Sequence, residues 1–407
     1  MIMRAFLIVT ILVFLLTCSL LFFQIGQESA SIPILYFRQL DRDVVDASNA
    51  SSNVVDASNA SNASNASNAS NASKPSLAAL QPFVDLGLAA AASWNDATFI
   101  MFETLNMIDY LMTVVRFPEN VRFIFGLGGS DMIASKSMLA VILKDNGGVD
   151  LIPPTYVTDG GLDRHLFSRE YDTEKIYILK KNVQRQQGFV ISDDRATLEA
   201  AFDASANDSA PDFVVCQELL QDPLVIVGAD GVGRKVNLRV YLLVVVSRFG
   251  TNVYMYDDGF VYYTASAWSR GSTEIGPNIT TGYVDRQVYA DNPLTVKELV
   301  NFLGPRGNTL RANVKRVMEK LARIYKPIFW DKNHMYPGTK FLIYGCDIAP
   351  DANLGVKIME VNKGPDLGYK DDRDKALKLG MVADVLVMVG ASKGFEGVNA
   401  TNGFIRL

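Results

Sequence analysis

The sequence predicts an α/β (α+β) fold, and three observations carry that prediction. Short apolar runs of strand length alternate with segments of helical period from about residue 96 to residue 390. One run, GRKVNLRVYLLVVV, contains a long strand over residues 236–246 with one polar and one apolar face. Two further strands, residues 341–347 and 356–362, flank a turn at residues 350–355 rich in Pro, Asp, Asn and Gly. With 407 residues, 49% of them apolar and 20% charged, the chain can bury a sizeable core and has room for two or three lobes. A net charge of −5 without a dense basic block gives no electrostatic footprint for nucleic acid. Three cysteines without CxxC spacing suggest neither a zinc site nor a disulfide scaffold, and His165 and His334 stand alone, so neither supports a triad.

At the N-terminus, residues 5–23 are apolar apart from Thr10, Thr17 and Ser19, and only Arg4 is charged before them. That length crosses a bilayer as a helix, and the reading adopted is an uncleaved signal anchor making a single-pass membrane protein. A cleaved signal peptide is the rival, but it would carry a shorter apolar core and a small-x-small site. Arg38 and Arg42 beyond the span oppose Arg4, so the side of the catalytic body is undetermined. Residues 46–73 repeat VVDASNAS and then NAS, a polar tract too poor in large side chains to offset its ordering entropy and therefore expected to be a disordered spacer. Asn49, Asn59, Asn62, Asn65, Asn68 and Asn71 each begin an N-glycosylation acceptor, although repeat expansion alone would also spell one. The expected division is an anchor at 1–25, a spacer at 26–75, a catalytic body at 76–391 and a tail at 392–407.

Within the body, residues 96–115 have helical spacing and residues 121–125 read as a strand entering Gly126, Gly128 and Gly129. Those glycines either cradle phosphate or simply turn the chain into a helix at residues 132–143. LIPPTYV follows, its double proline marking a loop that enters an extended segment. Residues 176–179 form a strand ending in Lys180 and Lys181, Gly188 opens another at 189–191, and residues 213–216 form a third, ending in Gln217 and Glu218. A lysine leaving a strand beside a flexible loop is a candidate phosphate ligand, against the ordinary reading of a solvated side chain. On the long strand Lys235, Asn237, Arg239 and Tyr241 share one face, and so polar a face looks onto a cleft rather than a core. Residues 253–256 and 260–265 read as a hairpin across Asp257, Asp258 and Gly259. Helices near residues 295–302 and 309–325 lead to the strand pair named first, and residues 374–389 form a closing helix.

That last strand pair carries the chemistry. With its turn centred near Asn353 and Leu354, Asp347 falls opposite Glu360, and Asn362 projects from the same face. Two carboxylates and an amide oxygen are hard ligands suited to Mg²⁺, which fills its other positions with water and substrate phosphate. Opposed carboxylates repel unless a cation lies between them. A solvated hairpin is the alternative, but Ile343, Ile358, Met359 and Val361 argue for a largely buried pair.

Taken together, these segments resemble the tubulin tyrosine ligase-like family, whose fold is ATP-grasp with a nucleotide cleft between two lobes. GGSDMIASKSML and IPPTYV look like its "G-S-x-x-(I/L)-x-x-K-x-x-L" and "P-x-T-Y" segments, and IYILKK with QGFVI is similar to its phosphate loop. VVCQELLQDPLVIVGADGVGRKVNLRVYLLV and IYGCDIAPDANLGVKIMEVNKGPDL resemble the family's "V-x-Q-x-Y-I … G-x-K-F-D-L-R-x-Y" and "G-x-D … E-V-N". The resemblance implies that Lys136 and Lys180 meet ATP phosphates, that the backbone of Gln217, Glu218, Leu219 and Leu220 meets adenine, and that Lys235, Asn237 and Asn278 sit near the nucleotide. Arg239 would help hold the amino-acid or carboxylate substrates, with Asp347, Glu360 and Asn362 on Mg²⁺. The chain departs from the pattern at Asn237, where the family has aspartate, at Ile275–Pro277 within "H-L-T-N", and at one glycine of the phosphate loop. It departs again at Tyr262, where the family has an arginine thought to stabilise the reaction intermediate.

The implied function is an ADP-forming, ATP- and Mg²⁺-dependent carboxylate–amine ligase that adds an amino acid to a protein acceptor such as a tubulin tail. Two other readings compete with it: a nucleotide-binding pseudoenzyme, and a membrane-tethered glycoprotein that uses the fold for recognition.

Overall fold

The computed structural model describes residues 34–39, 81–86, 88–90, 97–102, 105–181, 188–207, 213–282, 284–391 and 402–407. Residues 5–23 and the repeats at 46–73 lie outside them. Among the described residues no helix is long and apolar enough to cross a membrane.

The strands in chain order are β1 (Ile34–Gln39), β2 (Leu88–Ala90), β3 (Phe99–Phe102), β4 (Phe123–Phe125), β5 (Thr155–Val157), β6 (Tyr177–Lys180), β7 (Phe189–Ser192) and β8 (Val215–Glu218). They continue with β9 (Val225–Val227), β10 (Gly233–Ser247), β11 (Gly250–Thr264), β12 (Thr280–Thr281), β13 (Thr339–Pro350), β14 (Val356–Lys363) and β15 (Phe404–Arg406). They build two sheets. The smaller is antiparallel in the order β5-β8-β6-β7, and the larger runs β12-β11-β10-β13-β4-β3-β1-β2, with β14 on β13, β15 on β11 and β9 on β10.

The centre of the large sheet is β10, a run of Val and Leu that suits a strand flanked on both sides. It pairs antiparallel with β11 and with β13. The long helix Pro305–Asn333 packs across it, starting with proline at its first turn, where no N–H is needed. Leu310, Val314, Val317, Leu321, Tyr325 and Phe329 form its buried stripe at spacings of three and four. This layer and the sheet enclose the main core, while a separate cluster around Phe167, Tyr177, Leu179 and Phe202 sits on the small sheet.

Three readings of the sequence are corrected, and two stretches expected to lie outside the body add strands to the large sheet. Residues 96–115 hold strand β3 and then the shorter helix Ile108–Val114, because Phe99–Phe102 are all buried between neighbouring strands, an environment that overrides a helical spacing. The helix expected at 132–143 is two helices, Ser130–Ala134 and Lys136–Asp145, broken at Ser135, whose side chain caps the second. The hairpin across Asp257, Asp258 and Gly259 is one continuous strand: β10 pairs with both halves, and the register shift between Val240 and Leu242 absorbs the extra residues as a bulge. The tight turn lies instead between Ser247 and Gly250. Finally, Ile34–Gln39, inside the stretch read as spacer, forms β1 between β2 and β3, and Phe404–Arg406, read as tail, pairs with β11.

Candidate functional site

Strand order brings the polar residues together. Across the sheet, Phe260 of β11 pairs with Arg239 of β10, Arg239 with Asp347 of β13, and Asp347 with Glu360 of β14, so the four form one row. Asp347 stands opposite Glu360 as expected, but through a bulge rather than the turn alone: beside the turn, where Leu354 has a left-handed backbone at φ 67°, Pro350 faces Val356 and Ile348 faces Ile358, and the register then shifts by one residue past Met359. Two residues along from Arg239 on the same face, Asn237 stands opposite Tyr262.

Arg239 is engaged on two sides. Its Nε donates to Asp347 Oδ1 at 2.6 Å and its Nη2 to Oδ2 at 3.0 Å, a two-pronged charge-assisted contact. Its guanidinium carbon also lies 5.3 Å from the centre of the Tyr262 ring. Gly345 makes room for this side chain, since a Cβ there would sit 2.9 Å from Arg239 Cδ and 3.1 Å from Nη1. Lys136, at the first position of its helix, pairs with Glu360 at 3.4 Å. The Asn362 amide lies 3.0 Å from Glu360 Oε1 and 3.4 Å from Asp347 Oδ2. Burial raises the Asp347 carboxyl, with Arg239 opposing and Glu360 adding to the rise. Burial also pushes Glu360 upward, but Lys136, the Asn362 amide and Lys180 together hold it below the usual carboxylate range.

These residues fit Mg²⁺. Two carboxylates in register and an amide within 3.4 Å of both converge on one point, and turning the amide presents its oxygen there instead of its nitrogen. The expected repulsion between the acids is offset here by Arg239 and Lys136. Among the described residues no group of three or more His, Cys, Asp or Glu could hold a metal ion, so the candidate set here rests on two carboxylates and one amide.

The small sheet supplies the opposite wall. Lys180 Nζ donates to Gln217 Oε1 at 2.7 Å, and Gln217 Nε2 donates to Thr155 Oγ1 at 2.7 Å. The sequence reading missed Thr155, whose part depends on the pairing of β5 with β8. Lys136, Thr155, Lys180, Gln217 and Met359 line a recess of about 10 Å³, so entry of a nucleotide requires the two sheets to part. The amides of Glu218 and Leu219 already donate to the carbonyls of Pro154 and Ile176, and Leu220 lies just beyond the strand end. The glycine loop is a turn rather than a phosphate cradle: Gly128 N–H donates to Asn333 and Gly129 N–H to Asp109.

Lys235 is 2% exposed and donates to the Asn278 carbonyl at 3.0 Å, while the Asn278 amide holds the carbonyls of Ser272 and Glu274. Burial pushes Lys180 down to about 8, with Glu360 opposing, and burial followed by the charge of Lys180 pushes Lys235 to about 8. Neither has a carboxylate within 4.0 Å among the described residues, so two buried cations stand near one another without a close counter-charge. Because Lys235 loses its proton in the native state near pH 8 but near 10.5 when unfolded, the unfolded chain binds more protons across that window. Stability therefore rises with pH there. Lys235→Met is expected to stabilise the nucleotide-free protein by up to about 3 kcal/mol at pH 7, an advantage that fades toward pH 10. Urea unfolding of both forms at the two pH values measures it.

The model of the tubulin-tyrosine ligase family matches residues 127–278 and 309–394, more than half of the chain. The chain belongs to that family. As a tubulin-tyrosine ligase family member it has a place in the ATP-grasp superfamily. It is 24% identical over 316 residues, 69% of each chain, to a probable tubulin polyglutamylase, ttll-9, of Caenorhabditis elegans. It is 26% identical over 197 residues to the tubulin monoglutamylase TTLL4 of Homo sapiens, covering 44% of this chain and 16% of that one. Against the probable tubulin polyglutamylase TTLL9 of Mus musculus it is 27% identical over 207 residues, 48% of this chain and 42% of the other. The two departures from the family pattern at Asn237 and Tyr262 are direct cross-strand neighbours.

Proposed function

We propose that the chain is an ATP- and Mg²⁺-dependent carboxylate–amine ligase that adds an amino acid to a protein acceptor, with tubulin tails suggested by the names of its relatives. The observation that carries this reading is the convergence of Asp347, Glu360 and Asn362 with Lys136 and Lys180 between the two sheets. In the proposed reaction an acceptor carboxylate oxygen attacks the γ-phosphorus of ATP, releasing ADP and forming an acyl phosphate. The amine then attacks the acyl carbon, phosphate leaves and the amine gives up a proton, so an amide bond remains.

The proposed roles follow from position. Asp347, Glu360 and Asn362 would hold Mg²⁺, which when bound neutralises charge on the phosphates. Lys136, from the start of its helix, and Lys180, from the small sheet, act on the Glu360 carboxylate and would bind phosphate oxygens; Lys235 adds a buried charge, with Asn278 fixing its position. Arg239 is a positioning residue, since both prongs of its guanidinium hold Asp347. Such catalysis rests on orientation and on charges aimed at the transferred group.

We also propose that residues 5–23 anchor the chain in a membrane, ahead of a spacer and the catalytic body. A pseudoenzyme remains the second reading, favoured by Asn237, whose Oδ1 is buried without a hydrogen-bond partner, facing the neutral Tyr262. Mass spectrometry separates the two. Full-length protein incubated with Mg²⁺, ATP, amino acids and tubulin-tail peptides is expected to yield a peptide heavier by one amino-acid residue, and ADP. Nucleotide binding without either product would favour the pseudoenzyme.

A further inference from the structure

Beside Asn237 and Arg239 the sheet lacks the arginine of the family pattern, because Tyr262 occupies its position. Arg239 cannot readily take over, being held to Asp347 through two hydrogen bonds and laid over the Tyr262 ring. The loop after β14 returns across this end. Pro365 closes over Gly345, where a Cβ would come within 3.0 Å of it, and Lys370 Nζ donates to the Gly282 carbonyl at 2.7 Å. A Cβ on Gly282 would lie 3.2 Å from both Cε1 and Cζ of Tyr262 and 3.3 Å from Lys370 Nζ. Phenol ring and ammonium thus border the same backbone point.

The loop is fixed from beneath by a buried ion pair. Lys378 donates to the Gly368 carbonyl at 2.6 Å and to Asp374 at 3.1 Å, and Asp374 accepts the Lys370 backbone N–H at 2.8 Å. Lys378 also lies 5.5 Å from the centre of the Phe260 ring, next to the row that holds Arg239 and Asp347. Both partners of this pair are buried, so the backbone that carries Lys370 is tied to the sheet beneath the site. Lys378, Asp374, Asp366 and Arg286 are among the charges that act on Lys370. Across the strand from Tyr262, the buried Asn237 Oδ1 is an acceptor in need of a donor.

We propose that Lys370 binds the carboxylate of the amino-acid substrate beside Tyr262, in place of the missing arginine, while Asn237 Oδ1 accepts a hydrogen bond from the substrate amine. This rests on the ligase reading above. The lysine stem is long enough to exchange the Gly282 carbonyl for a carboxylate, and a charge-assisted contact to a carboxylate is the stronger of the two. Lys370 is therefore a specificity-determining residue supplied by the loop rather than by the strand.

The test is calorimetric, on the full-length chain with Mg²⁺ and a non-hydrolysable ATP analogue, titrated with each of the twenty amino acids. At least one should bind the native protein. Lys370→Ala should weaken that binding roughly 10- to 100-fold while leaving nucleotide affinity unchanged. The loop should persist in this variant, since Asp374 holds the backbone of residue 370 and not its side chain. Adding Tyr262→Arg to Lys370→Ala should restore amino-acid affinity by returning the charge to the strand. Equal affinity in native and Lys370→Ala protein would overturn the proposal and leave the ligase reading standing, as would binding by no amino acid despite firm nucleotide binding together with formation of ligated peptide. Absence of nucleotide binding by the native chain would overturn both.

Discussion

Glu360→Gln is expected to abolish turnover, with a loss on the order of 10² to 10³ or more in ADP release. The substitution keeps the shape of the side chain and its contact with Asn362, but it removes one of the two negative charges offered to Mg²⁺. It also leaves Lys136 without the carboxylate it pairs with across the cleft. Nucleotide affinity should lose most of its dependence on Mg²⁺ at the same time. Turnover within tenfold of the native rate, measured over a range of Mg²⁺ concentrations, would show that the metal is held elsewhere.

The second large effect concerns stability. Arg239→Met removes the partner of a buried carboxylate, and breaking such a pair costs about 3–5 kcal/mol because Asp347 is left charged and unpaired. The pH dependence identifies the cause. Asp347 already titrates above the ordinary carboxylate range, and loss of Arg239 raises it further, so the native variant takes up a proton before the unfolded chain does. The penalty should be complete above the raised native value and shrink as pH falls toward the unfolded value near 4. Denaturant unfolding at pH 7.5 and pH 5 checks this. A pH-independent penalty would assign the loss to packing against Tyr262 instead.

How much was legible in the sequence follows from the range of each interaction. That Asp347 and Glu360 lie close was legible because a short turn joins their strands, but the register beside the turn alone would set Asp347 against Met359, and the bulge that sets it against Glu360 carries no signal in the sequence. The polar face of β10 was legible through simple alternation. The partner of that face was not: Arg239 meets Asp347 across 108 positions of chain, and only the order of strands in the sheet brings them together. The same holds for Lys136 with Glu360 and for Lys370 with Tyr262. Local turn chemistry misled at Asp257–Gly259, where β10 is long enough to pair both halves of β11 and turns a hairpin signal into a bulge. Ile34–Gln39 was overlooked because six residues of strand pattern lie close to a low-complexity tract and their partners come from residues 88–102.

The central claim is that the hairpin of β13 and β14 holds Mg²⁺ with ATP against the small sheet. Calorimetric titration of ATP into the full-length chain, once with Mg²⁺ and once with EDTA, tests it most directly. The prediction is saturable one-to-one binding with Mg²⁺, weakened at least tenfold by EDTA. Equal affinity under both conditions, or no binding under either, would contradict it.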